Sequence, residues 1–351
     1  MKKEKLLYKN NTYELNSNKI VFSKKRKEKL TFTQKNFAID SPLIKGLIKT
    51  FKTISEFIIV CLIVVTITFF LINAIPGSNA LTAGQDEASR KAIEIKYGLN
   101  LPVYERYFIY LKNLLRGDFG ISLSLFPGQK INDFIWIRFY KSFLVGIFSV
   151  LLTIVIGIPL GIVVGKNPGK FIDNAATVIV SIFSSVPSIV FALFLVFLGR
   201  LVKIPYIFDE NDFLTYILPG LALSLGSIIV YVKYIRTELN RELNSMHAKF
   251  AYVKGLSKNR FVWKHALKPS LFPIATFFPA VIFGSFLGSI FIEQIFFISG
   301  SGATLLQAIQ SKDYNVILFL IVMFALLTIL SYTARDILYE IIDPRVRRRG
   351  S

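Results

Sequence analysis

SFLVGIFSVLLTIVIGIPLGIVVG, residues 142–165, decides the class of this protein. The run contains no ionisable side chain. Coiled as an α-helix with a rise of 1.5 Å per residue it extends about 36 Å, enough to cross roughly 30 Å of hydrocarbon. Lipid cannot satisfy free backbone N–H and C=O groups, so such a run must be helical. Working outward, five further stretches meet the same test: 54–75, 175–201, 214–235, 271–297 and 316–337. The sequence therefore predicts an all-α membrane protein with six transmembrane helices. The first stretch is a retained anchor and not a signal peptide, because its apolar part is too long and begins after some fifty mainly polar positions.

Composition agrees. The 351 residues are 53% hydrophobic and 14% aromatic, with a mean hydropathy of +0.53, more apolar side chain than a single soluble core requires. The balance of 42 Lys plus Arg against 22 Asp plus Glu is what a phosphate-neutralising nucleic-acid binder would show. Location argues against that, since the bases crowd the first fifty positions, residues 233–268 and the extreme carboxyl end, all flanking apolar runs. Cys61 lies inside an apolar run and the chain has two His, so there is no disulfide framework and no metal-ligand spacing.

Orientation follows from the short connections, because Lys and Arg are retained on the cytoplasmic side. Lys166 and Lys170 mark the second-to-third connection, and Lys233, Arg236, Arg241, Lys249, Lys254, Lys258, Arg260, Lys264 and Lys268 crowd the fourth-to-fifth. Asp209, Glu210 and Asp212 mark the third-to-fourth as external. Both termini then fall inside. The basic residues of the long connection 76–140 do not overturn this, since a loop of that length crosses largely regardless of charge.

Three regions result. Residues 1–41 read as a basic cytoplasmic tail and 42–53 as an interfacial amphipathic helix, with Leu43, Ile44, Leu47, Ile48 and Phe51 at helical spacing and Lys45, Lys49 and Lys52 opposite. Residues 54–351 form the six-helix domain. Its outer loop, 77–139, is expected to hold a polar helix near 86–97 and a mixed helix at 103–115. Its cytoplasmic loop, 237–269, is expected to hold two short helices meeting at Gly255, with apolar Phe250, Val253 and Leu256 available to bury against a partner.

The stretch AKFAYVKGLSKNRFVWKHALKPSLFP, 248–273, resembles the EAA signature of the membrane subunits of bacterial oligopeptide, dipeptide and nickel ABC importers, with Ala251, Gly255, His265, Ala266 and Leu267 at the matching positions. Lys249 stands where the usual glutamate would be. YGLNLPVYERYFIYLKNLLRGDFGISL, SVPSIVFALFLVFL, LPGLALSLGSIIVYVKYIR, GSIFIEQIFFISGSGATLLQAIQSKDYNVI and DILYEIIDPRVR resemble the same family in the same order, over about 45–349. The resemblance implies a type I ABC importer permease fold and a permease subunit forming half of a translocation pathway for oligopeptides or dipeptides in the cell membrane. Nickel or another small solute is the alternative cargo. It also implies a homologous second permease subunit, two ATP-binding subunits docked on the cytoplasmic loop, and an extracellular substrate-binding protein.

The chain has no phosphate-wrapping GxxxxGK[ST] loop, the nearest approach being Gly161 to Asn167. ATP and Mg are therefore expected in the partner subunits, with no cofactor, metal or catalytic residue here. Glu293 and Gln294 are costly if they face lipid, and are read either as helix-to-helix bonding groups or as pathway or gate residues. A secondary transporter is the less favoured reading, since no inverted repeat or midplane charge is evident. A membrane-embedded enzyme would need a catalytic constellation that the sequence does not carry.

Overall fold

The computed structural model describes residues 5–8, 11–16, 19–20, 42–74, 91, 95 and 100–342. In the amino-terminal unit, where a solvated tail was expected, β1 (Lys5–Tyr8), β2 (Asn11–Asn16) and β3 (Lys19–Ile20) form an antiparallel sheet in the order β1-β2-β3. Lys5 faces Glu14 and Leu15 faces Ile20 in its register. The KKRKEK run at 24–29 and the arginines at 345–349 lie outside the described residues.

The rest is helical. Helix α1 (Pro42–Ala74) covers both the expected interfacial segment and the first span. Helix α2 (Val103–Leu115) occupies the expected place in the outer loop, whose earlier helix at 86–97 lies largely outside the described residues. Helix α3 (Ile131–Leu152) passes through a π-helical turn (Thr153–Gly157) into α4 (Ile158–Gly165). The second span thus starts eleven residues before the apolar run does, because Ile131, Ile135 and Phe139 pack against Val316, Phe319 and Leu320 beyond the apolar stretch. The π turn lies just before Pro159, which has no N–H to give to the carbonyl four residues back.

The third span is not the continuous helix that hydropathy predicts. Helices α5 (Phe171–Ser185) and α6 (Ser188–Leu201) are bent by 103° at the break. Pro187 causes it: its ring forces the preceding Val186 out of the helical region, to φ −85° and ψ 121°. With this pair counted as one span, six helical segments among the described residues are long and apolar enough to cross a membrane.

After a short 3₁₀ turn (Phe213–Tyr216), α7 (Ile217–Leu243) runs well past the fourth apolar stretch. It packs closely on α4, where a Cβ on Gly161 would stand 2.8 Å from the Cβ of Ile235, so glycine lets the two backbones approach. Helices α8 (Met246–Val253) and α9 (Lys258–Phe261) follow; α9 continues through a π turn (Val262–Ala266) into α10 (Leu267–Leu287). The fifth span ends at Leu287 and does not reach Phe297. Gly288 there adopts φ +66°, Ser289 is extended, and α11 (Ile290–Ile295) begins in a new direction. Helices α12 (Ser301–Gln310) and α13 (Tyr314–Ile342) complete the chain.

Candidate coupling loop and outer cradle

The loop at 237–269 is built on two long helices. Leu239 and Leu243 at the end of α7 are buried together with Ala248, Phe261, Val262 and Ala266. Ser245 starts α8 by accepting the Ala248 N–H at 3.1 Å, and Ser257 starts α9 by accepting that of Arg260 at 3.4 Å. Helix α8 closes with the Leu256 N–H on the Ala251 carbonyl at 3.0 Å and the Gly255 N–H on that of Tyr252 at 2.9 Å. This is a Schellman ending, with Gly255 in the left-handed region at φ +85°. It accounts for the four-residue spacing of Ala251 and Gly255: the alanine sits three positions before the helix cap and the glycine one position after it.

Phe261 fixes the angle between the two arms. Its ring lies 5.4 Å from His247, 5.4 Å from Tyr252 and 5.8 Å from His265. Helix α9 continues through α10 into the fifth candidate span, and α7 is itself the fourth, so the loop is joined to two candidate spans by helix at both ends.

The expected loop residues divide into two groups. Phe250 is 62% exposed and Val253 87%, with Lys249 exposed beside them, so these apolar groups lack a cover among the described residues. Leu256 and Ala251 pack inward against the loop's own core, Ala266 is fully buried, and Leu267 is half-buried. His265 is exposed at its edge. Sequence reasoning missed Met246 and Trp263, both exposed. Met246, Phe250 and Val253 recur at intervals of four and three, a helical stripe readable once α8 is assigned.

Glu293 and Gln294 separate. Gln294 is exposed, whereas Glu293 is only 3% exposed. The Glu293 carboxylate accepts the Ser142 hydroxyl of α3 at 2.6 Å and the Ala303 N–H of α12 at 2.7 Å. Ser142 also receives the Ser301 N–H at 2.7 Å. The carboxylate therefore sits at the amino end of α12, where the helix dipole favours negative charge, and ties three segments together. A side chain at position 288 would run into it. Within this chain Glu293 bonds helices to one another and does not face an open surface.

A second buried carboxylate, Asp313, was not anticipated. Its Oδ2 accepts the Ser122 hydroxyl at 2.5 Å and the N–H groups of Leu123, Ser124 and Leu125, each at 3.0 Å. This nest holds the outer loop on the start of α13. The available signal is an Asp shortly before an apolar helix. Helix α2 is attached separately, the Tyr107 and Thr66 hydroxyls lying 2.6 Å apart.

Residues 157–348 match the family described as the inner membrane component of binding-protein-dependent transport systems. The oligopeptide transport system permease protein OppB of Haemophilus influenzae is 32% identical over 303 residues, covering 85% of this chain and 98% of that one. The dipeptide transport system permease protein DppB of Lactococcus lactis is 33% identical over 301 residues, with 84% and 98% covered. DppB of Bacillus subtilis is 30% identical over 289 residues, with 82% and 93% covered.

Proposed function

The chain belongs to the family of inner membrane components of binding-protein-dependent transport systems, and we propose that it is one of two permease subunits of an ATP-driven importer of oligopeptides or dipeptides. The observation that supports the coupling role is the cytoplasmic loop, a packed wedge continuous with two spans that leaves Phe250 and Val253 uncovered. An ATPase subunit closing on ATP needs such a wedge to move the pathway. Peptide cargo is favoured over nickel by relatives named for peptide transport that match nearly end to end.

In this reading two ATPase subunits hold ATP and Mg and dock on this loop and on its counterpart in a homologous second permease. An external binding protein delivers the peptide, and the outer segment 77–139 guides it to the pathway mouth. The test is reconstitution of the chain with its partner subunits and binding protein in liposomes. ATP-dependent accumulation of labelled peptide is expected; accumulation of nickel and not of peptide would refute the cargo.

A further inference from the structure

Most of the outward-facing surface of the spans suits lipid. Helix α1 exposes Ile58, Ile63, Ile67 and Leu71, and α6 exposes Val190, Phe194, Phe197 and Leu201. The face shared by α5 and α7 differs. Thr177, Ser181 and Ser184 lie at helical spacing along exposed α5, and Lys233 and Thr237 are exposed on the inner half of α7 opposite. Thr177, Ser181, Lys233 and Thr237 line a cavity of about 260 Å³ between the two helices, with Val180 and Val232 as apolar wall beside them. The Lys233 ammonium is the group on this face that is expensive against hydrocarbon and cheap against water or a polar chain.

We propose that this face is the inner half of the cargo pathway wall and that it holds the main chain of a peptide in transit. Each hydroxyl already donates its proton to a carbonyl four residues earlier: Thr177 to Asp173 at 2.8 Å, Ser181 to Thr177 at 2.8 Å, Ser184 to Val180 at 2.6 Å and Thr237 to Lys233 at 2.9 Å. What remains on the exposed side is a row of oxygen lone pairs, which accept from peptide N–H groups and do not read side chains.

Lys233 supplies the opposite chemistry. Its one contact among the described residues is the Ser184 hydroxyl oxygen at 3.1 Å, so two ammonium protons remain for a peptide's terminal carboxylate. Arg236 lines the same cavity but is held by Asp173 through two of its nitrogens, which leaves Lys233 as the available cation there among the described residues. The peptide part of the inference rests on the function proposed above; the wall part does not.

The test uses the complete importer in inside-out vesicles with Cys61→Ser as background. Ser181→Cys, Ser184→Cys and Thr237→Cys are exposed to an impermeant charged thiol reagent, with Ile63→Cys and Phe197→Cys as lipid-facing controls. Reaction at the three wall positions, loss of transport on reaction, and silence at the controls are expected. Unreactive wall positions would show that the second subunit or lipid covers this face, and equal reaction at wall and controls would also overturn the wall. Lys233→Gln should raise the KM for a free-acid peptide about tenfold, the effect of one charge-assisted hydrogen bond, with Lys233→Arg restoring it. An unchanged KM would overturn the carboxylate contact. Reactive wall cysteines in an importer that carries nickel and no peptide would overturn the peptide part alone.

Discussion

Gly255→Val isolates the coupling loop from the rest of the chain. The backbone there has φ +85°, and a Cβ built at this position meets no atom within 4 Å, so the substitution acts through backbone conformation and not through a clash. Holding an L-residue in the left-handed region costs roughly 1–2 kcal/mol, and a β-branched one lies at the upper end. Helix α8 has only eight residues, and its ending depends on the two bonds to Ala251 and Tyr252. The loop is therefore expected to relax by unwinding that turn, which displaces Phe250 and Val253. A conformational penalty near 2 kcal/mol on the docking-competent form weakens ATPase binding about thirtyfold.

The assay is co-purification of the ATPase subunits with the variant membrane complex, together with ATP-driven uptake and amide exchange across 246–257. Insertion and pairing with the second permease should be unaffected. Gly255→Asn, a residue that tolerates the left-handed region, should recover most of the docking. Full transport by the valine variant at normal expression would refute the reasoning. So would an asparagine variant as defective as the valine one, since that would assign the effect to volume.

Other outcomes follow from the same geometry. Phe250→Ala with Val253→Ala should leave the chain folded but weaken docking by several kcal/mol at most, about 1.5–3 for each side chain fully covered in the complex; unchanged co-purification would place the contact elsewhere. Ala251→Glu forces a carboxylate into the loop's own packing and should stop transport while insertion persists. Glu293→Ala strands the Ala303 N–H and should destabilise the protein by about 1–3 kcal/mol, seen as a lowered melting temperature in detergent, with Glu293→Gln milder. A single cysteine at Gln129, in the Cys61→Ser background, should react with impermeant reagent on intact cells and one at Ser257 should not; Ser122 is unsuitable because it is buried against Asp313. Replacing residues 86–116 by a flexible linker should abolish uptake with ATPase assembly intact, and unchanged uptake would reduce the outer segment to a spacer.

Much of this protein was readable as pattern. The apolar runs, helix 103–115 and the bend at Gly255 depend on local length and backbone preference, and each reappears in the structure. The interruptions were harder to see because hydropathy averages over them. Pro187 and Gly288 sit inside apolar windows that remain long enough to span. Whether a proline or glycine there kinks, breaks or merely permits close packing depends on neighbouring helices.

The sequence by itself determined the membrane class, the family and the two short helices meeting at Gly255, because lipid imposes a length and a Schellman ending imposes its glycine. Only the tertiary structure decided which residues of the 237–269 loop face outward, that Glu293 and Asp313 are internal ties, and that Thr177, Ser181, Lys233 and Thr237 meet in one groove between α5 and α7. A carboxylate reads the same in sequence whether it meets water, cargo or three backbone N–H groups. Ser142 lies 151 residues from Glu293 and Leu123 lies 190 from Asp313, and only the folded chain brings them together.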